Sequence, residues 1–120
     1  MNAMIVHKIN VKSSVMDALA KELPDIISDA LELPGGKLAI LKPEQVALEF
    51  SEASPRDTGS DIKIMLFARN LILRSSNDKE LANKILENVV LLTTKLGDEY
   101  SIDVRLYLVE IGAAEHSLSK

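Results

Sequence analysis

Cysteine and tryptophan are absent from the 120 residues, and aromatic side chains make up only 3% of them. Without thiols the chain has no disulfide, no thiolate nucleophile and no cysteine-ligated metal, a usage that fits a reducing cytoplasm. With so few rings the core has to be built from Leu, Ile, Val and Ala, and an apolar content of 47% supplies them. No apolar run approaches the ~20 residues that cross a bilayer, and the amino terminus lacks the basic-then-apolar order of a signal peptide. Basic runs are missing too, and the net charge is −4. That excludes a general nucleic-acid binder, because phosphate binding needs concentrated Lys and Arg. The expectation is a cytoplasmic protein with neither nucleic acid nor membrane as a partner. His7 and His116 are the only histidines and stand far apart. With no ligand spacing of a known type, no metal and no cofactor are expected.

The length suits one domain, 1–120, long enough to bury a core. Its clearest stretch, 62–112, reads strand, helix, strand. Residues 62–68 put Ile62, Ile64 and Leu66 on one face and Lys63, Met65 and Phe67 on the other. Residues 70–76 form a connector carrying Arg74. Asn77 with Glu80 three positions on resembles a capping box, and Leu81, Ala82, Ile85, Leu86, Val89, Val90, Thr93 and Leu96 follow at helical spacing. Gly97 ends that helix, and 102–111 closes the unit as a strand.

The earlier half, 4–52, reads as a weaker copy. Residues 5–11 alternate as a short strand. Ser13 and Ser14 are placed to cap a helix over 15–33 whose apolar residues recur at three and four. Pro24 removes a backbone donor inside that helix and predicts a kink or a break into two. Pro34-Gly35-Gly36 reads as its stop; followed by Lys37 it resembles a phosphate loop only superficially, lacking the full pattern and following a helix. Residues 46–50 alternate as a second strand. The polar stretch 53–61 is a linker loop, and 113–120 a loosely held tail. The expected fold class is α/β (α+β): two β-α-β units forming a four-stranded sheet with two helices on one face. A ferredoxin-like order and two parallel β-α-β units side by side both remain open.

The other sheet face is mixed. Val6, Ala47, Met65, Phe67, Tyr107 and Val109 there are too apolar for water, and association with further copies is the simplest cover.

These residues resemble the tautomerase superfamily, which includes macrophage migration inhibitory factor and 5-carboxymethyl-2-hydroxymuconate isomerase. Val104-Arg105-Leu106-Tyr107-Leu108-Val109-Glu110-Ile111 is similar to the family's last strand, and Arg74-Ser75-Ser76-Asn77-Asp78 to its loop arginine and helix cap. Lys42-Pro43-Glu44-Gln45 looks like the turn before a strand in the inhibitory-factor branch. The resemblance implies a homotrimer with helices outside and a pocket between subunits at each first strand. It also implies a keto-enol tautomerase or isomerase that binds a small carboxylic acid through Lys42, Arg74, Arg105 and Tyr107. The family's base is an amino-terminal proline whose amine is neutral near pH 7. Here that slot falls on Asn2 or, if the native start is Met4, on Met4 or Ile5, and none offers a secondary amine. His7 on the first strand is the substitute base to weigh, against the commoner role of a paired structural histidine. The alternative function is a non-catalytic protein of this fold, or a ferredoxin-like module, serving ligand binding or assembly.

Overall fold

The computed structural model describes residues 1–32 and 41–118. Four strands, β1 (Asn2–His7), β2 (Ala47–Glu52), β3 (Ile62–Arg69) and β4 (Ile102–Val109), form one sheet in the order β2-β1-β3-β4. β1 runs parallel to β2, β3 parallel to β4, and the two pairs meet antiparallel at β1 and β3. Each half is therefore a β-α-β unit. A ferredoxin-like sheet would bring the first and last strands together, whereas here β3 separates them, which removes that alternative.

Helices α1 (Ser13–Leu31) and α3 (Asp78–Lys95) cover one face, and a one-turn helix α2 (Ile72–Ser75) lies between β3 and α3. Alternation on the strands decides what they bury. Ala3 and Ile5 of β1 and Ile62, Ile64, Leu66 and Ala68 of β3 are fully buried beneath the helices. They meet Val15, Leu19, Leu23 and Ile27 of α1 and Ile85 and Val89 of α3 in one contiguous core. The Val, Leu and Ile side chains among them stabilise by roughly 1.5–3 kcal/mol each when withdrawn from water. No helix of the described residues is long and apolar enough to cross a membrane.

Several local expectations are corrected. β1 begins at Asn2 and ends at His7, because its first residues pair with both β2 and β3. Ser13 and Ser14 lie inside α1; Lys12 holds the N-cap position without a side-chain cap. α1 continues through Pro24 as a single helix and does not break into two, its buried stripe outweighing the lost donor. The expected connector at 70–76 contains α2, and Asn77 holds the N-cap position of α3 as expected but without a side-chain cap. Its amide donates instead to the Leu73 carbonyl at 2.8 Å. At the other end of α3, Gly97 takes φ +87°, and the amides of Gly97 and Asp98 donate to Thr94 and Thr93 carbonyls, a Schellman closure. The expectations for 33–40, the end of the first helix and its Pro-Gly-Gly stop, lie outside the described residues.

Candidate functional site

The uncovered sheet face is organised in rows by the strand register. One row reads Ala47, Asn2, Phe67, Tyr107; the next Glu49, Met4, Met65, Arg105; the third Ser51, Val6, Lys63, Asp103. Met4 and Tyr107 remain 37% and 39% exposed, large apolar surface for a lone chain to leave in water. Phe67 and Tyr107 stack with ring centroids 5.1 Å apart. The centre of the face is thus apolar at Met4, Met65 and Phe67, with Glu49 at its β2 edge, Asp103 and Arg105 on β4, and Lys63 near the start of β3.

The structure brings some of the expected site residues together. Asn2, the first residue of β1, shares its row with Tyr107, and Arg105 lies one row away on the same face. Arg105 is exposed, and its Nε donates to Asp103 at 3.0 Å. That contact and the charge of Asp103 raise the Arg105 pKa, with Tyr107 adding to the effect. Lys42 is exposed in the turn just before β2, at the same end of the sheet as Asn2. The turn is held by Gln45, whose side-chain oxygen accepts from the Lys42 amide at 2.9 Å, with Pro43 opening a short 3-10 turn.

Two residues are not brought there. His7 ends β1, five residues from Asn2 and therefore roughly 17 Å along the strand, with its side chain on the opposite face. Its Nδ1 lies 3.2 Å from the Lys8 carbonyl. Arg74, expected in an exposed loop, is buried in α2 at 4% exposure. Its Nε and Nη2 donate to the Leu31 carbonyl at 3.3 and 3.2 Å, and its Nη1 donates to the Arg69 carbonyl at 3.1 Å. Burial lowers its pKa, and the Arg69 charge adds to that. The guanidinium ties the end of α1 to the end of β3.

One residue that sequence reasoning passed over is Lys63. It lines a cavity of about 610 Å³ on the β3–β4 side of the open face, together with Met65, Asp103, Arg105, Tyr107 and the loop before β3. The available signal was a lone lysine among apolar residues on the mixed face, preceded by Thr58-Gly59-Ser60. A second depression of about 310 Å³ lies beyond the β4 edge, where Arg105 and Tyr107 meet Asp78 and Lys79 of the first turn of α3. Arg105 and Tyr107 therefore stand between two hollows. Among the described residues no three His, Cys, Asp or Glu side chains gather as a metal site.

No family model and no curated protein matches the sequence. Solved structures do resemble the fold. The F6 fused 4-OT, a wild type asymmetric trimer, is 14% identical with a TM-score of 0.67, over 98% of this chain and 95% of that one. A malonate semialdehyde decarboxylase is 12% identical with a TM-score of 0.58, over 100% and 92%. A macrophage migration inhibitory factor of Toxoplasma gondii is 18% identical with a TM-score of 0.53, over 91% and 90%. At such identities the likeness carries the fold.

Proposed function

From the tautomerase-superfamily fold that the chain shares with these structures, we propose a homotrimer that holds a small carboxylic acid in a pocket between subunits, the reaction class being keto-enol tautomerisation. The observation that carries the reading is the uncovered sheet face, apolar at Met4, Met65 and Phe67 with Arg105 and Tyr107 set into it. Neighbouring copies would cover the apolar rows, and trimeric relatives of the fold support that assembly. Arg105 receives the carboxylate through its outer amino groups, since only its Nε is engaged by Asp103. Tyr107 offers a hydroxyl beside it, and Lys42 adds positive charge from the turn before β2. Arg74 acts at the same end of the sheet by holding the backbone, its guanidinium being taken up by two carbonyls.

A second reading, ligand binding without turnover, is favoured by Asn2. Its amide is not a base near neutral pH, and His7 is too remote to replace one. Incubation with phenylenolpyruvate and 2-hydroxymuconate separates the two. Turnover above buffer that falls when Arg105 is replaced by Ala supports the isomerase; binding of the same acids without turnover supports the second reading. A strictly monomeric native mass would overturn the trimer.

A further inference from the structure

The register of the sheet gives it a local twofold axis through the Met4–Met65 pair, which exchanges the start of β1 with the start of β3. Asn2 is carried onto Lys63, and its partner Ala47 onto Asp103. The two ends of the open face therefore have the same backbone frame with different chemistry: an amide at one, a primary amine at the other.

The Lys63 end is shaped around its side chain. Nζ donates to the Thr58 carbonyl at 2.8 Å. Gly59 stands against the same side chain at φ +107°, and a Cβ there would come within 2.7 Å of Lys63 Cε. The glycine is needed for its backbone conformation, which is disfavoured for other residues, and the end of the lysine lies where another side chain would begin. The ammonium is thereby held in the cavity of about 610 Å³ that also contains Arg105. Lys63 pairs directly with Asp103, so Arg105, two residues further along β4, is its diagonal neighbour on the same face. Two cations face one anion, Asp103, which engages only the Nε side of Arg105. The cavity keeps a surplus positive charge, with the Tyr107 ring and hydroxyl as one wall.

We propose that this cavity at the start of β3 is a binding site for a small dicarboxylate, one carboxylate on the Lys63 ammonium and the other on the Arg105 guanidinium. With a cation on each of two adjoining strands, a short carbon chain with an acid at each end can engage both, whereas a monocarboxylate can satisfy only one of them. The site deepens the proposed small-acid binding and rests on that reading only for the neighbouring subunit that would close it over.

Succinate and acetate are the probes, titrated calorimetrically into the full chain, with native mass recorded for each variant. Succinate is expected to bind at least about tenfold more tightly than acetate, and Lys63→Met to remove that preference at unchanged native mass. Lys63→Arg is expected to restore part of it, and Gly59→Val to weaken succinate by displacing the lysine. Equal affinities for the two acids, or succinate binding unaffected by Lys63→Met, would overturn the site even in a trimer. A monomer that still shows the Lys63-dependent preference would overturn the trimer and leave the site standing.

Discussion

Replacing Arg74 by Ala is the most informative single perturbation of the fold, because it separates a structural arginine from a ligand-binding one. The guanidinium is buried without a carboxylate partner among the described residues, and its three donated bonds satisfy the carbonyls of Leu31 and Arg69. Alanine leaves both oxygens without that partner, at about 1–3 kcal/mol each. It also removes the packing of the arginine stem and leaves a void, which adds about 1 kcal/mol or more. Burying the cation has a cost that is relieved in the variant, which keeps the sum near 3–5 kcal/mol. For a domain of this size that lowers Tm by roughly 10–25 °C. Lysine can reach one carbonyl but cannot span two with a planar fork, so Arg74→Lys is expected to lose about half as much. Urea denaturation followed by circular dichroism measures both variants. An Arg74→Ala protein within about 1 kcal/mol of the parent would refute the clamp, and unchanged stability with lost binding of small acids would make Arg74 a ligand group.

Three further predictions are independent of that one. Gly97→Ala should lose about 1 kcal/mol in the same assay, purely from the positive φ, since no atom lies within 4 Å of the added methyl; no loss would contradict the helix closure. The Asp61 carboxyl is held below its usual range, chiefly by the Ser101 backbone amide, with the Ser101 and Asn10 side chains and the Lys8 charge assisting. Its contribution is therefore present above the unfolded-state pKa and lost as pH falls through the lower folded value. Denaturation midpoints of the parent and Asp61→Asn should differ at pH 6 and converge towards pH 3, and a gap that stays constant would count against the contact. Phe67→Asp places a charge in the apolar rows and should convert the proposed trimer to monomers by native mass spectrometry, whereas a trimer mass that stays unchanged would show that another surface joins the copies.

The second half of the fold was legible because 62–68 alternates without interruption and the apolar positions of α3 keep their spacing up to a glycine that takes positive φ. β1 was displaced because Asn2 and Met4 give no alternation by themselves. They are strand residues through pairing with β2 and β3, and that pairing is not local. Arg74 shows the limit most clearly. Its sequence neighbours, Asn70, Ser75, Ser76 and Asn77, read as a solvated loop, yet its burial is set by the Leu31 carbonyl, 43 residues earlier. For Lys63 the residue and its face were both readable. Its significance comes from Arg105 on the adjoining strand and from Gly59 lying against its side chain, neither of which spacing alone reveals.

The central antiparallel pair has a bearing on how the chain is made. β1 lies inside the sheet, yet one of its two neighbours is β3, whose last residue is Arg69. On the ribosome the first half can close its own β-α-β unit while β1 still presents one bare edge, which is an open invitation to pair with a nascent chain on the next ribosome. Delay in translating the polar segment after β2 would prolong that exposure. Holding the two halves in one polypeptide keeps the intended partner near at hand and shortens the interval in which another can take its place.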